Sequence, residues 1–188
     1  MTGVVLAGGQ SRRFGRNKAL EALHGERLLD RAIRGLKPWC RTCLVVANDL
    51  LPYVAAEATL VRDVMPNQGP LGGILTALLF SPTPWVLVKA TDMPFLVPAV
   101  VERMAQMRPG SDVVVPLRNG FHEPLFALYH IRCLPLIAAL LERGEKQIVR
   151  FYTGIRVARL EEDLWRPLDP NGLTFQNINT PDEFQRIL

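Results

Sequence analysis

The sequence predicts an α/β protein of three layers, in which helices cover both faces of a mostly parallel, doubly wound sheet. Short apolar runs rich in β-branched residues alternate along the chain with longer stretches of helical periodicity. The apolar runs are continuous rather than alternating, as expected of strands that are buried on both faces. Strand, helix, strand order requires right-handed crossovers, and these place successive strands parallel in one sheet.

The first strand is predicted at residues 3–7, a short apolar run that enters a polar loop with two glycines. Runs of the same kind predict four further strands, at residues 43–47, 58–61, 85–89 and 112–115. The last of these follows Pro109 and Gly110, a pair that marks a turn.

Helices are predicted between these strands, where apolar residues recur at helical spacing. The first of them ends before Pro38, which cannot continue a helix. The three predicted helices cover residues 28–36, 71–80 and 97–107. Beyond Pro116 the pattern predicts strands at 125–129 and 155–160, a helix at 135–142 and a terminal helix that includes 184–188. No repeat, linker or low-complexity segment interrupts the chain, so residues 1–188 are predicted to form one domain.

The composition excludes several classes of protein. Hydrophobic residues make up 48% and charged residues 21%, which argues against disorder. No apolar run reaches the roughly 18 residues of a membrane span, and the first residues lack a charged leader, so we expect a cytoplasmic protein without membrane contact. The net charge of +4 suits a phosphorylated substrate. Nucleic-acid binding is not expected, because no basic run is interleaved with aromatic residues.

The cysteines point to structural roles. Three are present, an odd number in a chain without a leader, which argues against a disulfide framework. Cys40 and Cys43 have C-x-x-C spacing, but no second pair completes a zinc site. The pair follows a predicted helix and enters a strand, the reverse of the order in thioredoxin-like motifs.

A glycine-rich, basic loop follows the first predicted strand. In an open α/β sheet, ligands bind outside the carboxyl ends of the strands. Gly8 and Gly9 allow a tight turn whose backbone N–H groups can bind an anion. Three arginines and Lys18 lie within seven residues without an acid, and Arg13 and Lys18 can neutralise β- and γ-phosphates. The loop matches neither a Walker motif nor G-x-G-x-x-G. The alternative is a glycine turn with a solvated basic tail.

Two further loops follow predicted strands. Asp92 comes at the carboxyl end of an apolar strand, where it can hold Mg²⁺ against phosphate oxygens; its alternative role is to cap a helix. Asp63 begins a loop that enters a helix through residues 69–73, a Gly-Pro-Leu-Gly-Gly segment. These glycines suggest close backbone approach to a base or ribose, and the alternative is an irregular turn before a helix.

Taken together, these loops and two later segments resemble the MobA-type molybdenum cofactor guanylyltransferases of the nucleotidyltransferase superfamily. The resemblance spans essentially the whole chain, in the family's order and at a matching length. The segments that carry it are Leu-Ala-Gly-Gly at 6–9, Arg-Arg-Phe-Gly at 12–15 with Lys18, Gly-Pro-Leu-Gly-Gly at 69–73, Thr-Asp-Met-Pro at 91–94, Glu-Pro-Leu-Phe-Ala-Leu-Tyr at 123–129 and Asn-Ile-Asn-Thr-Pro at 177–181.

The resemblance implies a Rossmann-like fold, and it implies transfer of GMP from GTP to molybdopterin with Mg²⁺. The residues that it assigns to GTP are Leu6, Ala7, Gly8, Lys18, Asp63 and Asp92, and Asp92 also contacts Mg²⁺. Asn48 matches the family's asparagine after the second strand only approximately. Phe14 stands where the family usually has Met, which we interpret as a packing exchange. Gly9, where cytidylyl-transferring relatives usually have Ala, favours guanine together with the 69–73 loop.

The mechanism that follows is in-line attack by the acceptor's terminal phosphate on the α-phosphorus of GTP. Arg13 and Lys18 stabilise the departing pyrophosphate, and Asp92 acts through Mg²⁺. The nucleophile is already anionic, so no general base is required. Asn177 and Asn179 alternate along a predicted strand and are candidates for acceptor contact, with capping of the turn into Pro181 as the alternative.

Three other functions remain open from the sequence. One is the same chemistry on another substrate, either cytidylyl transfer or transfer to a sugar 1-phosphate. A second is a nucleotide-binding adaptor without catalysis, which delivers cofactor to a partner molybdoenzyme apoprotein. A third is an NAD-dependent oxidoreductase, disfavoured by the missing G-x-G-x-x-G and the missing acid on the second strand.

Overall fold

A computed structural model describes residues 1–7, 17–178 and 183 of the chain. The strands of this part are β1 (Thr2–Leu6), β2 (Ala22–Leu23), β3 (Glu26–Arg27), β4 (Thr42–Ala47), β5 (Thr59–Arg62), β6 (Trp85–Ala90), β7 (Val113–Arg118), β8 (Phe121–His122), β9 (Phe126–His130) and β10 (Val157–Leu160). The α-helices are α1 (Leu28–Leu36), α2 (Gly69–Phe80), α3 (Pro98–Gln106), α4 (Leu134–Glu142) and α5 (Glu162–Trp165). Short 3-10 helices lie at Lys18–Leu20, Leu51–Tyr53, Ile131–Cys133, Ile148–Gly154 and Leu173–Phe175.

The main sheet has the strand order β10-β7-β9-β6-β1-β4-β5, with β8 paired to β7, while β2 and β3 form a separate hairpin. Strands β5, β4, β1 and β6 are parallel neighbours. Strand β9 lies antiparallel between β6 and β7, so β7 runs in the direction of β6, and β10 is parallel to β7. One hydrophobic core packs α1 and α3 on one face, and a second packs α2 and α4 on the other. The predicted three-layer, mostly parallel, Rossmann-like fold is therefore confirmed.

The predicted elements agree with the observed ones to within a few residues, and helix α1 has the predicted bounds. The strand predicted at 112–115 continues through Pro116 to Arg118. The strand predicted through Asn177 is wrong, because residues 176–178 belong to no strand. There the Ile178 N–H donates a single bond to the Asp92 carbonyl at 2.9 Å, in place of a ladder. Asn179 and the terminal helix predicted at 184–188 lie outside the described residues.

The cysteines of the C-x-x-C pair lie where α1 gives way to β4, and both are free thiols. Cys40 packs against the backbone of β1: a Cβ atom placed on Gly3 would lie 3.0 Å from its Sγ atom. Burial raises the pKa of Cys40 to about 12, so this thiol stays protonated at neutral pH. These observations suit packing rather than thiolate chemistry.

Two glycines of α2, Gly72 and Gly73, are explained by packing inside the protein. A Cβ atom on Gly72 would lie 2.8 Å from the Met65 carbonyl oxygen, and one on Gly73 would lie 3.1 Å from the Leu6 side chain. Both residues are buried. The missing side chains at these two positions make room for a loop and for β1, and close approach to a base or ribose stays a prediction.

Lys89 is a fully buried lysine in the middle of the sheet. Its Nζ atom donates to the Phe95 carbonyl at 2.6 Å and lies 5.6 Å from the centre of the Phe126 ring. Burial lowers the pKa of Lys89 to about 7, against the opposing effect of the nearby Asp92 carboxylate. Lys89 therefore links β6 to the turn that follows it, and removing its ammonium group from water opposes this stabilisation.

None of the helices in the described residues is both long enough and apolar enough to cross a membrane.

Replacing Gly72 with Ala is expected to lower the free energy of unfolding by about 1–3 kcal/mol, because the new Cβ atom meets a backbone oxygen. Gly35→Ala in α1 is the matched control. Its Cβ atom would meet Leu96 at an ordinary 3.5 Å, so the helix should gain up to about 1 kcal/mol from the better propensity of Ala. Urea unfolding of the two variants measures both effects, and equal stabilities would contradict the packing account.

Replacing Lys89 with Met is expected to stabilise the protein most at neutral and acidic pH. The lysine pKa is about 7 when folded, against a reference value of 10.5, so the unfolded chain binds more protons between these values. Wild-type stability therefore falls as the pH drops through this window, and the Met variant lacks that fall. Denaturant unfolding across the window tests this, with the exposed Lys146→Met as a control for net charge. Parallel pH dependences for wild type and Lys89→Met would contradict it.

Candidate active site

Four neighbouring strands end at one edge of the sheet, and a residue predicted for the site comes shortly after the end of each strand. Ala7 follows β1, Asn48 follows β4, Asp63 follows β5 and Asp92 lies two residues beyond β6. Backbone bonds extend the pairing past the strands: the N–H groups of Ala7 and Asp63 donate to Val46 and Ala47 carbonyls, each at 2.9 Å. Parallel pairing thus brings separate parts of the sequence to one edge, the position where ligands bind in sheets of this kind.

Lys18 and Asp92, which are 74 residues apart in sequence, meet at this edge. The Lys18 Nζ atom lies 3.4 Å from the Asp92 Oδ2 atom. The side chains are 13% and 32% exposed, so the pair is partly shielded from water. Lys18 Nζ also donates to the Ile178 carbonyl, and the Ile178 N–H donates to the Asp92 carbonyl at 2.9 Å. Three segments of the chain therefore fix the ammonium group beside the carboxylate.

The start of the Lys18–Leu20 helix explains how Lys18 is directed to this position. Asn17 is its N-cap, and the Asn17 Oδ1 atom accepts a bond from the Ala19 N–H at 3.2 Å. Asparagine is a favoured residue for such a cap because its side-chain oxygen satisfies an otherwise unpaired N–H group. Ala19 is buried, so the turn is anchored on one side and Lys18 projects toward Asp92 on the other.

Asp63 is held by helix α2. Its Oδ1 atom accepts bonds from the Thr76 hydroxyl at 2.7 Å and from the Met65 N–H at 3.0 Å. Thr76 is fully buried, and its hydroxyl oxygen also accepts a bond from the Val64 N–H at 3.1 Å. Thr76 was not among the residues predicted for the site, although a lone hydroxyl group in an otherwise apolar helix is a signal of this role.

Leu6 and Thr91 join the ends of β1 and β6. The Thr91 hydroxyl donates to the Leu6 carbonyl at 2.8 Å, and Thr91 is buried. Leu6 is partly buried and Ala7 is buried, so at this edge β1 presents its backbone more than its side chains. Thr91 lies within the Thr-Asp-Met-Pro motif, but no role of its own was predicted for it.

The structure brings Leu6, Ala7, Lys18 and Asp92 together, with Asn48 and Asp63 following the next two strands along the same edge. Asn48 is exposed beyond β4. The remaining predicted residues of the site, Gly8, Gly9 and Arg13, lie in the stretch 8–16, outside the described residues. Among the described residues, no group of three or more His, Cys, Asp or Glu side chains is placed to hold a metal ion.

Comparison with known proteins shows the family to which the chain belongs. Residues 3–159 match the family described as the MobA-like NTP transferase domain. The chain is 36% identical to a probable molybdenum cofactor guanylyltransferase of Chloroflexus aggregans, with 100% of this chain and 93% of the relative covered. It is 37% identical to a molybdenum cofactor guanylyltransferase of Desulfosudis oleivorans, with 99% and 93% covered.

A solved structure shows the same fold. Molybdopterin-guanine dinucleotide biosynthesis protein A from Archaeoglobus fulgidus superposes with a TM-score of 0.86 at 27% sequence identity, over 100% of this chain and 96% of that one. The chain therefore belongs to the MobA-like nucleotidyltransferase family, and it is an enzyme with a nucleotidyltransferase role in molybdenum cofactor biosynthesis.

Proposed function

We propose that this enzyme transfers GMP from GTP to the terminal phosphate of molybdenum-bound molybdopterin. The products are the molybdopterin guanine dinucleotide cofactor and pyrophosphate, and the reaction depends on Mg²⁺. The observation that carries the proposal is the 3.4 Å approach of Lys18 and Asp92 at the carboxyl edge of the sheet. A cation for phosphate oxygens and a carboxylate for a metal lie there side by side, as nucleotidyl transfer requires.

GTP would lie across the ends of β1, β4, β5 and β6. The residues proposed to contact it are Leu6, Ala7, Gly8, Gly9, Lys18, Asn48, Asp63 and Asp92. The proposal for Gly8 and Gly9 rests on the sequence, where two glycines after a buried strand allow backbone N–H groups to face an anion. The fixed Asp63 carboxylate can accept hydrogen bonds from the sugar or the base, at the end of the row furthest from Asp92.

The residues at this edge fit Mg²⁺. Mg²⁺ commonly takes one or two protein carboxylates and completes its octahedron with waters and phosphate oxygens. Asp92 supplies one partly exposed carboxylate, and the absence of a larger cluster among the described residues suits such a site. When bound, Mg²⁺ would withdraw charge from the phosphate oxygens as a Lewis acid. Asp92 is the residue proposed to hold it.

The chain's own residues would contribute position and charge. The acceptor's phosphate oxygen forms a bond to the α-phosphorus, and the bond from that phosphorus to the α,β-bridging oxygen breaks as pyrophosphate leaves. Lys18 and Arg13 stabilise the negative charge that accumulates on the departing group. The attacking phosphate is anionic at neutral pH, so catalysis needs alignment of the two substrates rather than a general base.

Two alternatives make different predictions at the same site. A cytidylyltransferase or a sugar 1-phosphate nucleotidyltransferase would use the same cation and carboxylate with another base or acceptor. An adaptor that only carries nucleotide or cofactor to a molybdoenzyme apoprotein would bind without releasing pyrophosphate. The Lys18–Asp92 pair favours catalysis, since binding alone requires no metal carboxylate beside the phosphates.

Replacing Asp92 with Asn is expected to lower the rate of pyrophosphate release by at least about 10²–10³-fold, because a stabilising group is lost from the transition state. Asp163→Asn, which changes an exposed carboxylate on α5, is the matched control and should retain wild-type activity. Activity is measured by pyrophosphate release with GTP, molybdopterin and Mg²⁺, and folding by circular dichroism. A folded Asp92→Asn protein with near-normal turnover would show that the metal assignment is wrong.

GTP should be used at least about tenfold more efficiently than CTP, because a site that hydrogen-bonds one base leaves polar groups unpaired with another. The measurement is kcat/KM for each triphosphate with molybdopterin as acceptor, and with EDTA in place of Mg²⁺ as a control. Equal or better use of CTP would replace the guanylyl assignment with the cytidylyl one. Tight GTP binding without any pyrophosphate release would support the adaptor.

A further inference from the structure

Lys89 carries a buried amine that the proposed reaction does not use. The residue is fully buried on β6, and its Nζ atom donates to the Phe95 carbonyl at 2.6 Å. A lysine side chain can donate this bond in either protonation state, so the link to Phe95 does not depend on its charge. Burying an amine costs more stability than burying an apolar side chain, and residues kept at such a cost often serve a site.

The bond from Lys89 to Phe95 closes the turn that contains Asp92. Asp92 lies midway in the sequence between the donor and the acceptor of this bond, so the bond spans the segment that carries the carboxylate. Inside the turn, the Met93 N–H donates to the Ala90 carbonyl at 3.2 Å. Met93 is also buried, which leaves the turn little room to shift. These contacts restrict the backbone on both sides of Asp92.

Phe95 also connects the turn to a second support of Asp92. The Phe95 side chain packs against a buried hydrophobic cluster that contains Ile178. The Ile178 N–H donates to the Asp92 carbonyl at 2.9 Å. Releasing the Phe95 carbonyl from Lys89 would therefore loosen the turn at the residue that also packs against this second support. The position of the carboxylate depends on both contacts.

We propose that Lys89 is a positioning residue for Asp92, and that it keeps the Asp92 carboxylate in the place where Mg²⁺ binds by holding the Phe95 carbonyl. The inference rests on the proposed function and extends it to a side chain too buried to touch the substrate. The ammonium group lies close enough to the Asp92 carboxylate for their charges to interact. Its charge alone would repel a cation bound by Asp92, so position and charge have opposite effects on metal binding.

The experiment measures GTP binding to wild type and to Lys89→Met by titration calorimetry, once with Mg²⁺ and once with EDTA. The dissociation constant in EDTA divided by that in Mg²⁺ gives the metal effect, the factor by which the metal tightens binding. The metal effect should fall about tenfold in Lys89→Met, the usual consequence of losing one buried hydrogen-bond partner. GTP binding in EDTA should be nearly unchanged, because the proposed route passes through the metal ligand.

Urea unfolding of the same variant provides a readout that a purely structural role would not match. Burial lowers the pKa of Lys89, so Lys89→Met should be at least as stable as wild type at neutral pH while its metal effect is smaller. Lys89→Leu also lacks the donor and should show the same fall; a fall in only one of the two variants would count against the inference. An unchanged metal effect would overturn it, and so would a larger one, which loss of charge alone predicts.

Leu87→Met is the matched control, because Leu87 is fully buried on the same face of β6 and the exchange removes no donor. It should keep the wild-type metal effect, and equal falls in Leu87→Met and Lys89→Met would overturn the inference.

A double variant tests whether Lys89 acts through Asp92. Lys89→Met combined with Asp92→Asn should show the metal effect of Asp92→Asn alone, and full additivity would contradict the inference. Failure of the proposed function gives a different result: wild type itself would bind GTP equally with Mg²⁺ and with EDTA, or not at all, and both proposals would fall together. A metal effect in wild type that Lys89→Met retains in full would remove only the inference about Lys89.

Discussion

The parallel pairing of β5, β4, β1 and β6 is the constraint on which the rest of the site depends. The carboxyl ends of parallel strands lie at one edge of the sheet, so the loops that follow them lie side by side there. This is why Asp63 and Asp92, 29 positions apart in the sequence, belong to one row of strand ends. The helices that connect these strands pack on both faces of the sheet.

Hydrogen bonds and one ion pair then fix the positions of the side chains at these strand ends. Thr91 joins β6 to β1 and Thr76 orients Asp63, while the capped turn at Asn17 directs Lys18 toward Asp92. Each of these bonds is buried or partly buried, so water competes weakly and the loss of a partner is costly. The arrangement is preorganised: charges that a triphosphate would need are already held in place by the protein's own structure.

Lys89 illustrates a cost of building such a site. Burial in the sheet disfavours the charged form of Lys89. Its ammonium group nevertheless donates to the Phe95 carbonyl, and this bond holds the turn that contains Asp92. A hydrophobic residue at position 89 would make the folded protein more stable, but it would leave the Phe95 carbonyl without this hydrogen bond. Stability and site geometry are therefore in competition at this position of β6.

The sequence predicted the fold well because the signals that define it are local. Continuous apolar runs identified the buried strands, and helical spacing with Pro38 gave the bounds of α1. The antiparallel placement of β9 between β6 and β7 was beyond reach, because an apolar run carries no information about its direction or its neighbour. Asn177 was assigned to a strand because its segment alternates, but among the described residues it lies in no strand.

The site was predictable only in part, for a related physical reason. Motifs after the strands led us to propose Lys18 and Asp92, whose side chains the structure places 3.4 Å apart. The Thr76 hydroxyl donates to Asp63, 13 positions away in the sequence, and the Tyr53 hydroxyl donates to the Ala7 carbonyl, 46 positions away. Such partners are fixed only when the chain folds. Gly72 and Gly73 show that a glycine signal is ambiguous, because a glycine needed for packing looks the same in sequence as a glycine needed for a ligand.

The most direct test of the central claim is a crystal structure of the enzyme with GTP and Mg²⁺ in the absence of acceptor. We expect the Lys18 ammonium group and a metal ion on the Asp92 carboxylate to contact the same triphosphate, outside the carboxyl ends of β1 and β6. A triphosphate bound elsewhere, or one that contacts Lys18 while Asp92 faces away from both metal and phosphate, would contradict the account.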